Sequence, residues 1–212
     1  MISANRNCIL RLCRYKNALY RFRALGFSKI FSDYIAEAIG VSSALVRKDF
    51  SNFDISGNKR GGYGIEDLLA NINAVLGKDT MQNVILAGAG NLGSALIKYK
   101  NFEKEGIKIV AAFDLDPAKL TAKSGTRILR MKDMSEYITT HKIEIGIITV
   151  PEIAAQEVLD IMAAAGIRGV LNFSPIQLKA PKTCIVHDVN LALELENLVY
   201  FVRCGKENRT SG

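Results

Sequence analysis

Metal-ligating and catalytic side chains are scarce in this chain. Only two histidines occur, His141 and His187, and neither sits in a ligand cluster. The four cysteines, Cys8, Cys13, Cys184 and Cys204, form no Cys-x-x-Cys pair, and the five-residue step from Cys8 to Cys13 is a poor helical metal spacing. They read as reduced, mostly buried thiols of a cytoplasmic protein, and no metal site is expected. No apolar run approaches the roughly 18 residues of a membrane span. No signal-peptide apolar run follows the first residues. The chain is nonetheless 49% hydrophobic over 212 residues, enough to bury a substantial core in one or two domains.

What is present is organised around Val84-Ile-Leu-Ala-Gly88-Ala89-Gly90-Asn91-Leu92-Gly93. A run rich in branched apolar residues reads as a buried parallel strand. Gly-x-Gly-x-x-Gly follows at once and opens a helix-like pattern near Asn91. Gly88 permits the tight turn, Gly90 a close backbone approach to a pyrophosphate, and Gly93 close packing of helix on strand. Unpaired N–H groups at the helix start suit phosphate. A second strand, Ile107 to Asp114, ends in an acid 21 residues past Gly93, near the expected spacing of about 20. Asp114 would accept hydrogen bonds from the adenosine ribose and repel a 2′-phosphate, favouring NAD(H) over NADP(H). A tight strand-helix turn without a ligand is the plainer alternative.

Charge is uneven along the chain. Residues 1–78 hold 12 Lys and Arg against 6 Asp and Glu, whereas the remainder holds 16 against 15. A basic N-terminal module that meets a polyanion explains this, as do merely solvated helix faces. Within it a first helix is expected over 8–25, with Leu12, Tyr15, Leu19 and Phe22 inward and Arg11, Arg14, Arg21 and Arg23 mostly elsewhere. A second begins after Ser32 as N-cap. After the Gly40-Val41-Ser42 turn, a third is capped by Ser42 or Ser43 and runs to about Asn52. Val46, Phe50 and Phe53 share its inner face. Arg47, Lys48 and Ser51 lie on others, with Ser43 and Ala44 at its start. Helix, turn and basic helix make a helix-turn-helix, whose second helix enters the major groove. The glycine-rich stretch carrying Lys59, Arg60 and Tyr63 reads as a wing whose basic side chains reach phosphates or a minor groove. A small helical dimerisation module and an ordinary glycine-rich loop are the alternatives.

From residue 82 strands and helices alternate, as in a doubly wound parallel α/β domain. Asp116-Pro117 is expected to open a short helix. Ligands in such sheets sit at the carboxyl ends of strands, so Thr149, Val150 and Pro151 after one strand, and Asn172 and Ser174 after the next, are candidates for lining the nicotinamide end. Plain strand-to-helix punctuation is their alternative. Residues 190–203 form an apolar last helix that needs cover on most sides, from a subunit interface or from its own sheet. The expected domains are 1–78, 79–189, the helix 190–204 and a disordered tail 205–212.

The sequence resembles the redox-sensing repressor family Rex. The likeness spans roughly residues 8–203 and rests on Val46-Arg-Lys-Asp-Phe-Ser-Asn-Phe53, Gly88 to Gly93, Phe113-Asp-Leu-Asp-Pro117, Ile148-Thr-Val-Pro151 and Gly169-Val-Leu-Asn-Phe-Ser-Pro175. It implies a homodimeric winged-helix repressor with a Rossmann-type NAD(H) domain and an exchanged C-terminal helix. Such a protein binds double-stranded inverted-repeat operator DNA and is released by NADH. It also implies recognition contacts from Arg47 and Lys48, with Ser43 a further candidate, wing contacts from Arg60 and Tyr63, and Tyr99 near the nicotinamide. Three departures stand out. The family's Arg-Gly-x-Gly-Tyr of the wing appears as Lys59-Arg60-Gly61-Gly62-Tyr63, with the arginine displaced by one, so the wing contacts are the least secure transfer. Where the family has Gly-x-Phe-Gly after the recognition helix, this chain has Asp54-Ile-Ser-Gly57. Where the family pairs an Arg on the first helix with an Asp before the last, this chain has Asn17 and Asn190, which can form no ion pair.

A small NAD-dependent oxidoreductase with an accessory domain is the competing reading. Only about 30 residues remain after the nucleotide fold, short of a usual substrate domain. No Ser-Tyr-Lys or Cys-His grouping stands at a convincing place, so no catalytic residue is assigned.

Overall fold

The computed structural model describes residues 6–58, 61–78, 80–116 and 126–210. The chain divides into two compact units between Thr80 and Met81.

The first unit is built on α1 (Arg6–Ala24), α2 (Ser32–Ile39), α3 (Ser43–Ser51) and α4 (Ile65–Val75). Each helix buries one stripe at three- and four-residue spacing. Leu12, Tyr15, Leu19, Ile35, Val46, Phe50, Leu68 and Ile72 meet in one cluster. Gly40, left-handed at φ 73°, ends α2, and the Ser42 hydroxyl accepts the Leu45 N–H to start α3. Ser32 is not the cap of α2. The helix begins with it, and its side chain lies on the buried stripe with Ile35 and Ala36. A two-residue strand, β1 (Lys29–Ile30), pairs antiparallel with β2 (Tyr63–Gly64), which closes the helix-turn-helix against the wing. Its brevity hid it in the sequence.

The Asp49 carboxylate ties α3 to α1. It is 1% exposed and accepts from Arg11 Nε at 2.6 Å, Arg11 Nη2 at 2.7 Å, Tyr15 Oη at 2.8 Å and Cys8 Sγ at 3.2 Å. Arg11 therefore turns inward, against the outward face assigned to it from periodicity. Burial alone would push the Asp49 carboxyl up, but hydrogen bonds from Arg11, Tyr15 and Cys8 outweigh it and hold the carboxyl below its ordinary value. The Cys8 thiol is pushed up by burial and by that carboxylate, so it stays a thiol.

The second unit is a six-stranded, wholly parallel sheet. Its strands are β3 (Gln82–Ala87), β4 (Ile107–Asp114), β5 (Arg127–Arg130), β6 (Ile145–Ile148), β7 (Gly169–Asn172) and β8 (Ile185–Asp188), in the order β5-β4-β3-β6-β7-β8. The order reverses between β3 and β6. On one face α7 (Met134–His141) and α8 (Glu152–Ala164) cover Ile85, Phe113 and Val170. On the other, α5 (Asn91–Ile97) and α6 (Asn101–Lys104) contribute Leu96, Ile97 and Phe102 over Val84, Leu86 and Ile147. Such double cover is what turns these strands into continuous apolar runs. β8 is an edge strand with mostly exposed residues, and no apolar run announced it. The helix expected from Pro117 lies outside the described residues. The last helix, α9, runs Leu191–Thr210, so the chain stays helical through the stretch from 205 expected to be a disordered tail; 211–212 lie outside the described residues.

Replacing Asp49 by Asn points an amide N–H₂ at the Arg11 donors. The expected loss is about 3 kcal/mol of first-unit stability at pH 7, read by urea denaturation of the full chain. A depressed carboxyl contributes stability above its unfolded value of about 4, lost as pH falls through the folded value. The gap between wild type and D49N is therefore expected to close in that acid range.

Candidate dinucleotide crevice and nucleic-acid interface

The glycine turn lies at the carboxyl end of β3, beside the reversal in strand order. Gly88 is left-handed at φ 93°, and a Cβ there would come within 2.8 Å of the Thr149 carbonyl. A Cβ on Gly93 would strike the Gly88 carbonyl oxygen. Both positions are closed to any side chain. Around Gly90 nothing lies within 4 Å of such a Cβ, so that backbone faces open space. Gly90, Asn91 and Leu92 are exposed, while Gly88, Ala89 and Gly93 are buried. A turn sealed on its inner side and bare at its second glycine is the shape that admits a diphosphate against the main chain.

Two side chains grip this turn. Thr149, just past β6, donates its hydroxyl to the Gly88 carbonyl at 2.6 Å, with the Ala87 carbonyl at 3.0 Å. Asp114, the last residue of β4, accepts the Ala89 N–H at 2.8 Å and the Asp116 N–H at 3.0 Å. Each carboxylate oxygen keeps a further lone pair for a ribose hydroxyl.

Val150 is buried and Pro151 exposed at the start of α8. Asn172 and Ser174 reach the same end of the sheet with their side chains turned inward. Asn172 is 0% exposed, donating Nδ2 to the Ile176 carbonyl at 3.0 Å and Asp188 Oδ1 at 2.8 Å, and accepting the Ser174 N–H at 2.9 Å. The Ser174 hydroxyl donates to the Val150 carbonyl at 2.7 Å. These two side chains hold the ends of β6, β7 and β8 together. Tyr99 follows α5 and lines a concavity of about 1030 Å³ with Phe102, Tyr137 and the residues that begin β4. His141, in that same concavity, stacks on Tyr137 at 3.9 Å. No cluster of His, Cys, Asp and Glu fit for a metal occurs among the described residues.

In the first unit α3 presents Ala44, Arg47, Lys48 and Ser51 outward, with Ser43 half-buried at its start. Between α2, α3 and the wing lies a concavity of about 830 Å³, lined by Ser32, Arg47, Ser51, Asn58 and Tyr63 among others. Tyr63 is half-buried, its ring edge-on to Phe50 at 5.2 Å, so it anchors the wing to α3. Burial pushes its phenol up. Lys59 and Arg60 lie outside the described residues. Asp54 adopts φ 56°, a left-handed conformation that Asp tolerates and Gly prefers, which accounts for the glycine that the resemblance sets there. Asn17 is exposed on α1, and Asn190 caps α9 by accepting the Leu193 N–H at 3.1 Å.

Comparison with known proteins matches these two regions separately and together. A family model described as "CoA binding domain" matches residues 79–176, and one described as "Putative DNA-binding protein N-terminus" matches 6–51. The "Redox-sensing transcriptional repressor Rex" of Lactobacillus acidophilus is 40% identical over 200 residues, covering 93% of this chain and 94% of that protein. The chain belongs to the Rex family. A second relative, from Desulforamulus reducens, is 39% identical over 91% of this chain and 92% of its own. Among solved structures, RSP in complex with β-NAD⁺ and operator DNA aligns with TM-score 0.90 at 32% identity, over 98% of this chain and 96% of that one. RSP in complex with β-NADH aligns with TM-score 0.87 at 32% identity over both full chains, and RSP is described as a Rex-family repressor.

Gly93→Ala is expected to cost about 1–3 kcal/mol, because backbone rather than a flexible side chain must yield. Gly90→Ala is expected to cost less than about 1 kcal/mol, because nothing crowds a Cβ there and Ala is only a poorer N-cap of α5 than Gly. Urea titrations of the two full-length variants separate a glycine that the fold needs from one that only a ligand would need.

Proposed function

We infer that this chain is a redox-sensing transcriptional repressor that binds operator DNA through its first unit and NAD(H) through its second. The observation that carries the reading is one chain holding both a bare glycine turn gripped by Asp114 and Thr149 and a helix-turn-helix with an exposed basic face. It aligns over nearly its full length with RSP bound to NAD⁺ and operator DNA and with RSP bound to NADH. The relatives named above are repressors rather than enzymes, which sets the oxidoreductase reading aside.

In the second unit, Gly88, Ala89, Gly90, Asn91, Leu92 and Gly93 receive the pyrophosphate, and Asp114 the adenosine ribose. The ends of β6 and β7, through Thr149, Val150 and Pro151 and the loop fixed by Asn172 and Ser174, border the nicotinamide. When bound, the coenzyme supplies a ring that is cationic when oxidised and neutral when reduced, so a pocket can tell the two states apart electrostatically. In the first unit Arg47 and Lys48 read base edges, with Ser43, Ala44 and Ser51 beside them. Lys59 and Arg60 follow the phosphates. Tyr63 holds the wing that presents them.

The working unit is a homodimer in the cytoplasm. Leu191, Leu195, Leu198, Tyr200 and Phe201 of α9 are each more than half exposed in the single chain, which supports an exchanged helix covered by a second copy. Control is by linkage. The DNA-incompetent arrangement must hold NADH more tightly than the competent one, since equal affinity shifts nothing. DNA must then weaken NADH binding by the same factor.

A gel-shift titration on an inverted-repeat duplex is the direct test. NADH is expected to release the duplex, and NADPH to need at least about tenfold more, because Asp114 repels a 2′-phosphate. Gly90→Ala is expected to bind duplex as wild type yet ignore NADH. Retention of duplex at saturating NADH sinks the reading. With Asn17→Arg and Asn190→Asp installed together, the α9 cap survives and the NADH concentration for half-release is expected to move; an unchanged midpoint denies the two amides any part in setting the switch.

A further inference from the structure

We propose that Ser32 is a positioning residue for sequence reading: its hydroxyl holds the Arg47 guanidinium in the orientation that meets a base. Resting on the assignment of Arg47 to DNA, the inference adds a residue that itself touches none.

Arg47 is exposed on α3 and carries a long side chain with much rotamer freedom to lose when it is fixed. In this structure one of its donors is already committed. Arg47 Nη1 donates to Ser32 Oγ at 2.9 Å. Ser32 is 7% exposed and stands on the inner stripe of α2 with Ile35 and Ala36, so its hydroxyl is fixed by the packing of α2 on α3. Both residues line the same concavity between α3 and the wing.

The choice of partner matters. A guanidinium has five N–H donors, and this contact uses one. Enough of the fork stays free for a bidentate pair with a guanine edge. A carboxylate in the place of Ser32 would orient Arg47 equally well but neutralise the charge that attracts DNA. A hydroxyl orients without neutralising. Ordering the side chain before binding removes part of the entropy that association would otherwise cost. The benefit accrues to base reading alone, because phosphate attraction tolerates many orientations of the same cation.

The experiment measures fluorescence anisotropy of full-length protein on a duplex chosen by wild type from a randomised inverted-repeat pool. Single-base-pair variants of that duplex and an unrelated duplex complete the set. Ser32→Ala is expected to weaken the chosen duplex about threefold to tenfold. It is expected to flatten discrimination at the base pair whose change Arg47→Ala no longer notices, and to leave the unrelated duplex and the salt slope untouched. Ser32→Thr keeps the hydroxyl and is expected to stay within about twofold of wild type. In an Arg47→Ala background, Ser32→Ala is expected to add nothing. Full discrimination by Ser32→Ala beside an impaired Arg47→Ala, or additive losses in the double variant, overturns the positioning role alone. An Arg47→Ala protein that reads the duplex as wild type does overturns the assignment of Arg47 and this inference with it. Circular-dichroism melting of each variant separates unfolding from loss of reading: equal losses on the chosen and unrelated duplexes that track a lowered Tm also overturn the positioning role.

Discussion

One buried negative charge holds α3 in place. Asp49 points away from the exposed side of α3, into a site where α1 aims four donors at it from Arg11, Tyr15 and Cys8. An ion taken out of water at this depth is costly unless its lone pairs are filled, and here they are. The arrangement is directional in a way that the surrounding apolar contacts are not. Val46 and Phe50 would tolerate a small rotation of α3, whereas a bidentate guanidinium and a phenol on one carboxylate would not. The angle at which Arg47 and Lys48 leave the surface is set from behind by Asp49, the next residue along, on the buried side of α3.

The nucleotide unit solves a similar problem with backbone groups. A turn that must leave Gly90 bare cannot be braced by a side chain at that point, so it is braced from neighbouring strands. Thr149 holds the Gly88 carbonyl and Asp114 the Ala89 N–H. Because Thr149 follows directly on β6 and Asp114 ends β4, the turn is clasped from both strands that flank β3. The same contacts fix the orientation of the Asp114 carboxylate. Asn172 and Ser174 repeat the device one strand further on, tying β6, β7 and β8 at their carboxyl ends. In both units the exposed functional group stands on a buried polar support.

Periodicity and glycine spacing made most of this legible from sequence. The parallel strands behind Gly88 and Asp114, the helix-turn-helix and the basic face of α3 are all local signals. What escaped was non-local. Arg11 looked like surface because its partner lies 38 residues away, and a periodicity argument sees only neighbours on one helix. Ser32 looked like a helix cap, since serine before an apolar repeat usually is one; the Arg47 contact across the turn decides otherwise. β1 and β8 are too short or too exposed to leave a pattern. Asn172 and Ser174 were found for their place in the sheet, but burial assigns their side chains to the scaffold.

The last helix bears on how the two activities connect. Eight large apolar residues of α9, from Leu191 to Val202, are 44% to 69% exposed in the isolated chain. Covering them contributes about 1 kcal/mol apiece even when burial is partial. In a dimer with two such helices that is about 16 kcal/mol, against an association cost of roughly 4–15 kcal/mol. A coupling between ligand sites is typically about 1–3 kcal/mol. Coenzyme binding on that scale is too small to make or break such an interface. In the dimer we propose, association is therefore permanent, and what the coenzyme changes is geometry. An inverted repeat demands two recognition helices about 34 Å apart, one turn of the duplex. A rigid pair of reading helices, each locked by its own Asp49, can lose that register through a modest rotation without losing any contact inside either unit.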